Sequence, residues 1–426
     1  MPVRYVAAVV CGNALEFYDF LTYAFFAVYI GRAFFPSSSP TSSLLASLGA
    51  FGAGFITRPF GGFIIGTMGD RVGRRPAMVL SFGLMGVAIV GLALTPPHSA
   101  IGVAAPILVV CFRMLQGFAL GGNVGPTTAF LLEAAPPERR GFYTAFQSWT
   151  QDFSVLIAGL VGFLLASFLT AHQLETFGWR IAFLIGAAIV PFGLMLRRRL
   201  PETFYDGDNA NVKRVPLRPY LTVAIFGGVL LASATIGTYV ASYMTTYAIA
   251  TLHMPAKIAF AATIVVGLAG IAFDLVSGSL SDRIGRKATM IIPGVALLLL
   301  IFPAFYEIDH HRTTAALLGA TAILYSLAAL SGTPILIWLT ESLPAAIRSG
   351  GVATVYAVAI AIFGGTTQYS ITWLIKATGD PEAPAWYWTA AALVGLAAML
   401  AIPESAPCRM PENRNAPEAQ VSEPLK

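Results

Sequence analysis

Charge is scarce in this chain. Asp, Glu, Lys and Arg together make up 11% of its 426 residues, where a soluble domain carries about 25%. Apolar residues reach 56%, and the mean hydropathy is +0.73. One water-soluble globule of this length cannot hide so much apolar surface, and a lipid bilayer is its natural solvent. Cysteine is nearly absent. Cys11, Cys111 and Cys408 form no C-x-x-C pair, which argues against a disulfide framework or a metal site. Histidine is also rare, at five residues, and His310-His311 stands apart from any cluster with ligand spacing, so it reads as loop. No Ser-His-Asp, Cys-His or phosphate-loop constellation occurs. The expectation is that the protein is not an enzyme and has no cofactor and no metal. The net charge of +5 would hint at nucleic acid in a soluble chain. Here the basic residues lie in short loops between apolar runs, so orientation in a membrane explains them and nucleic acid is not an expected partner.

What is present is long apolar runs. Twelve stretches have the length to cross a bilayer, at about 4–31, 42–68, 76–95, 101–132, 140–170, 178–198, 217–248, 256–280, 287–305, 313–341, 347–375 and 384–403. They are numbered one to twelve in chain order. Several exceed the minimum length, so tilts or kinks are expected. Segment one carries Glu16 and Asp19, unlike a cleaved signal peptide. With both termini in the cytoplasm, 19 of the 26 Lys and Arg fall on the inner side. Arg32, Arg180, Lys257, Arg312 and Lys376 fall outside, and Arg58 and Arg113 lie within the membrane. That bias predicts a multi-pass protein of a bacterial inner membrane with both ends inside. The polar stretch 199–216 is expected to be a cytoplasmic linker. It separates a bundle over 1–198 from one over 217–404, and 405–426, rich in Pro, Glu and Asn, reads as a disordered cytoplasmic tail.

The two halves echo one another. Gly66-Thr-Met-Gly-Asp70-Arg71-Val-Gly73-Arg74-Arg75 returns as Gly278-Ser-Leu-Ser-Asp282-Arg283-Ile-Gly285-Arg286-Lys287. Glu133-Ala-Ala-Pro136-Pro-Glu-Arg-Arg140 matches Glu341-Ser-Leu-Pro344-Ala-Ala-Ile-Arg348, and Trp179 matches Trp386. Three features at nearly one offset mark an internal duplication.

On these residues the chain resembles the major facilitator superfamily over its whole length. The resemblance implies an all-α membrane protein with twelve transmembrane helices in two pseudo-symmetric six-helix bundles. It also implies a cytoplasmic latch made of Gly66, Asp70, Arg71, Gly73, Arg74, Asp282, Arg283 and Arg286, with Glu133/Arg140 and Glu341/Arg348 as charge-relay partners. The alternative is that these charges merely hold topology. Within the superfamily, Gly12-Asn13-Ala-Leu-Glu16-Phe-Tyr18-Asp19-Phe20, Phe34-Phe35-Pro36, Arg58-Pro59-Phe-Gly61-Gly62, Leu115-Gln116-Gly117-Phe118 and Phe363-Gly364-Gly365-Thr366-Thr367 are similar to the metabolite–proton symporters. Arg140-Gly-Phe142-Tyr143-Thr-Ala-Phe-Gln147-Ser148 and Thr378-Gly379-Asp380 look most like the citrate and tricarballylate branch. The antiporter signature Gly-Pro-x-x-Gly-Gly is absent from segment five. Two positions depart from the family pattern: Asn123 stands where a glutamate is usual, and Gln368 where a proline is common.

Ionisable groups at membrane depth are costly and therefore paired or functional. Glu16, Asp19, Asp152 and Asp274 are the proton-coupling candidates. Glu16 and Asp19 share a helix face, and two neighbouring carboxylates cannot both ionise cheaply; alternatively they tie segment one to Arg58 or Arg113. Asp152 could replace the acid missing at Asn123. Asp274 is a second proton site or a helix cap near the latch. Arg58 and Arg113 offer a fork to a carboxylate. Arg58 could instead satisfy carbonyls freed at Pro59, and Arg113 could pair with Asp19 or Asp152. Gln116, Asn123, Gln147, Tyr239, Tyr243, Thr367 and Gln368 complete the expected substrate site, with Tyr325 and Trp338 offered by segment ten. The reading is a secondary transporter importing a small organic acid, citrate or another di- or tricarboxylate, by proton symport through alternating access. Its partners would be that anion, protons and the bilayer, and a monomer is expected. The alternatives are an exporter or exchanger of an amphipathic compound such as a siderophore or drug, and a symporter of a zwitterion such as proline or betaine.

Overall fold

A computed structural model describes residues 14, 17, 18, 20–71, 74–121, 124–133, 135–198 and 218–409. Among them there is helix and no strand. That is the bilayer's demand: with no water to bond backbone groups, each spanning segment must satisfy its own. Segment one ends in Ala27–Phe34. Segment two is Pro40–Ile56 continued by Arg58–Arg71, and segment three is Arg74–Leu94. Segment four is Ala104–Leu120 followed by Val124–Glu133. Segment five is Arg140–Thr144 and Phe146–Phe168, and segment six is Trp179–Arg198. The second half holds Leu221–Ala250, Ala256–Ile284, Arg286–His311, Thr314–Glu341, the interrupted pair Ala345–Ala359 and Gly365–Thr378, and Ala383–Ala401 as segments seven to twelve. Eight of these spans are long and apolar enough to cross a membrane, and Val79–Leu94 and Ala104–Leu120 are shorter apolar helices.

The expected kinks have local causes. Segment eleven passes through a π-helical turn at Ile360–Gly364, a usual place for a helix to bend. Between segments eight and nine the chain turns at Gly285, where φ is +101°. An L side chain is strained there, which is why the repeated decapeptide needs a glycine at that position.

The halves meet along segments five and eight. Gly270 of segment eight lies where a Cβ would run into the Asp152 carboxylate, so its missing side chain makes room for an acid between the helices. The linker 199–216 lies outside the described residues. The tail expectation needs correcting at its start. Ser405 donates to Glu341 Oε2 at 2.7 Å, and Arg409 Nε donates to the Ile284 carbonyl at 3.2 Å. Residues 405–409 are packed against the second bundle, and those from 410 onward lie outside the described residues.

Candidate functional site

A cavity of about 150 Å³ lies between the halves, lined by Phe17, Gln151 and Asp152 from the first and by Tyr239, Asp274, Tyr325 and Tyr356 from the second, among others. Among the described residues no Lys or Arg lines it. Asp152 and Asp274 are 4% and 2% exposed. Tyr325 Oη donates to Asp152 Oδ1 at 2.6 Å, and Thr333 Oγ1 donates to Asp274 Oδ1 at 2.6 Å. Asp152 Oδ2 lies against Gly270, one helical turn before Asp274 on segment eight, and Asp274 Oδ2 meets no protein donor.

The arginines gather on the first-half side. The Arg58 and Arg113 guanidinium carbons each stand 4.4 Å from the Phe20 ring centroid. Arg58 also lies over Phe55, and Arg113 over Tyr23 and Phe51. Cations over aromatic faces gain from the ring quadrupole, but a ring accepts few of a guanidinium's five N–H bonds. Arg113 Nη1 donates to Gln116 Oε1 at 2.6 Å. Its Nε and Nη2, Arg58 Nε and Gln116 Nε2 are buried without an acceptor. A small second cavity holds Arg58 against Phe17 and Tyr356, the same two residues that wall the main one. Phe17 and Tyr356 therefore form a wall shared by the Arg58 cavity and the one that holds the carboxyl pair.

This arrangement can be set beside known proteins. Residues 9–363 match the family described as the Major Facilitator Superfamily. The chain belongs to that superfamily. It is a multi-pass membrane transporter and not an enzyme. A citrate-proton symporter of Salmonella typhi is 36% identical over 409 residues, covering 92% of each chain. The alpha-ketoglutarate permease of Escherichia coli is 32% identical, covering 90% of this chain and 89% of that one. Among solved structures, the proton:xylose symporter XylE of E. coli superposes with a TM-score of 0.76 over 94% of this chain and 95% of that one. At 19% identity that likeness shows the facilitator fold alone.

Several expected contacts are made otherwise in this facilitator. Arg113 does not pair with Asp152. The carboxylate is turned toward segments eight and ten, where Gly270 leaves room and Tyr325 supplies a donor. Asp274 is no helix cap, since it lies ten residues before the end of segment eight at Ile284. Neither glutamate is bonded to the arginine of its own motif. Glu133 accepts from Arg348 Nη1 at 2.9 Å across the halves, and Glu341 accepts from Arg286 at 2.8 and 3.1 Å. Asp282 takes Arg286 Nη1 at 2.8 Å and the Gly141 and Phe142 N–H groups at 2.8 and 2.9 Å. The last two groups open the short first helix of segment five, whose free N–H groups and dipole suit an anion. At the far end, Lys376 Nζ donates to Ser42 Oγ at 3.0 Å, so the halves touch on both sides of the cavity.

Of the remaining expected site residues, Tyr239 lines the cavity. Tyr243 is bonded to Thr372 at 2.8 Å, and Thr367 bonds its own helix at Phe363 O. Gln368 reaches Tyr239 O at 3.5 Å with its Oε1 unpartnered, and Gln147 is buried with both amide atoms unpartnered. Trp338 is not cavity lining, because its Nε1 caps Pro403 O at 2.9 Å. Glu16, Asp19, Asn123 and Gly73 lie outside the described residues, as do the side chains of Asp70, Arg71 and Arg74 and the surroundings of Gly66. Sequence reasoning missed Phe20 as the platform for both arginines, and Thr333 and Tyr356 as cavity walls. Tyr356, the one aromatic residue of Ala345–Ala359, was the available signal. It also missed that Asp309, His310 and Glu382 come together. Asp309 is paired with Arg312 at 2.8 Å.

Proposed function

We propose that this facilitator imports a small organic acid, a di- or tricarboxylate such as citrate, by proton symport. The observation that carries the reading is the pair of buried guanidinium groups over Phe20 with unpaired N–H donors. Buried donors left unpaired cost about 1–3 kcal/mol each, and a carboxylate from solution would satisfy several at once with charge-assisted bonds. The Salmonella and E. coli relatives, a citrate-proton symporter and an alpha-ketoglutarate permease by name, support an organic anion. The protein would work as a monomer in a bacterial inner membrane, with the Asp282–Arg286–Glu341 end facing the cytoplasm. In that orientation the bonds among Asp282, Arg286, Glu341, Glu133 and Arg348 latch the inner mouth, and protonating or straining them releases it.

The test is uptake of radiolabelled citrate into proteoliposomes, with and without an inward proton gradient. Gradient-stimulated uptake that falls at least tenfold in Arg113→Ala is the expected result. Absence of citrate uptake sinks the citrate assignment. Binding of betaine and of a siderophore, measured by thermal shift, then decides between the zwitterion and exporter readings.

A further inference from the structure

We propose that Asp152 and Asp274 together hold one shared proton across the seam between the two bundles, and that this proton is the one coupled to transport; the second half of the proposal rests on the symport reading above. Asp152 belongs to segment five of the first half and Asp274 to segment eight of the second. Each has one oxygen taken by a hydroxyl, from Tyr325 and Thr333. Asp152 Oδ2 packs against Gly270, one turn from Asp274 on the same helix, both acids line one cavity, and Asp274 Oδ2 has no donor. Two ionised carboxylates sharing a cavity at low dielectric repel, and the usual resolution is one proton between them. With that proton in place, the orphan oxygen gains its bond and the two halves are clasped at mid-depth.

The described residues that line the cavity around the pair are uncharged apart from the two acids. Segment ten offers Tyr325, segment seven Tyr239, segment eleven Tyr356 and segment five Gln151. Segment nine contributes Gly294 and Leu297, segment twelve Trp388 and Met399, and the described residues of segment one Phe17 and Leu21. Among the described residues no Lys, Arg or His lines the cavity, so none of them replaces the proton. Arg58 lines the second cavity, and Phe17 and Tyr356 form a wall common to both. The geometry thus divides the labour: Arg58 in one cavity, the proton pair in the other. When the proton leaves, the acids repel and segments five and eight part. When it binds, they close.

Two substrate-free measurements test this on the full chain in lipid. Infrared difference spectra across neutral pH should show a protonated-carboxyl carbonyl band that is lost in Asp152→Asn and in Asp274→Asn. Tyr325→Phe, which keeps both acids and removes one donor, should shift that band. A band unchanged in all three variants overturns the shared proton. Spin labels at positions 153 and 268, both lipid-facing on segments five and eight, should move apart as pH rises in a chain whose three cysteines are replaced. In the Asp152→Asn/Asp274→Asn double variant the distance should not respond to pH. A distance indifferent to pH in the wild type, or equally responsive in the double variant, overturns the clasp. The coupling is read by pH-jump proton uptake, followed with a trapped pH dye, during citrate transport. Proton uptake that persists unchanged in both Asn variants overturns it. If citrate is not transported at all, the substrate reading fails while the infrared and spin-label results still decide the proton site.

Discussion

At the scale of the residue, the most informative position after the acids is Gly270. It carries no chemistry, yet its bare Cα is what admits the Asp152 carboxylate between segments five and eight. Gly270→Ala should cost about 1–3 kcal/mol, the usual range for overpacking a tight contact. A melt of the purified protein in detergent reads this as a lower Tm. Gly319 is the control, because a Cβ there meets nothing within 4 Å. Gly319→Ala should leave Tm unchanged or raise it slightly, through helix propensity alone. Equal losses at both positions would mean that the cost at Gly270 comes from its backbone and that the carboxyl is not wedged there. The arginines pose the opposite case. Their positions are fixed by rings, and their donors are left over, so Arg113→Lys keeps the charge and loses the fork. Citrate uptake should fall in Arg113→Lys nearly as far as in Arg113→Ala. If lysine restores it, charge alone matters.

At the scale of the element, the ion pairs at the Asp282 end differ in worth because they differ in exposure. The Arg286 side chain is 0% exposed, Asp282 8% and Glu341 5%. Asp282 also takes two backbone N–H groups from segment five. Asp282→Asn keeps the size, loses the charge and turns one acceptor into a donor. It should destabilise by roughly 1.5–3 kcal/mol, the range for hydrogen bonds to charged groups. Glu133 is 49% exposed against Arg348 at 6%. An ion pair half in water is worth about 0–1 kcal/mol, so Glu133→Gln should barely move Tm. Chemical denaturation of both variants checks the ordering, and a larger loss at Glu133 would contradict it. The duplicated Glu–Arg motifs were plain in the sequence, but the partners of the glutamates were not. Each glutamate lies seven residues from its own arginine, and only the packing of segments four and eleven brings Glu133 to Arg348 instead.

At the scale of the molecule, the same contrast explains what could be read in advance. Twelve apolar runs, the repeat and the asymmetry of Lys and Arg are properties of composition along the chain, and a bilayer converts them almost directly into a fold. The cavity is different. Asp152 and Asp274 are far apart in sequence, and their meeting depends on which helix faces turn toward the seam, which a strip of apolar letters does not record. Orientation is the one global property that the charge count predicts and a single thiol can test. Cys408 is exposed at the Asp282 end, beside Arg409 and its bond to Ile284. Cys111 is exposed within segment four, a face that the membrane reading puts against lipid. Maleimides react with thiolates in water, so Cys111 should stay unmodified. With Cys11 replaced by Ala, a membrane-impermeant maleimide should label Cys408 in inside-out vesicles and leave it untouched in right-side-out ones. Labelling from the outside would place the Asp282 end outside the cell. The latch proposed for the inner mouth would then close the outer one.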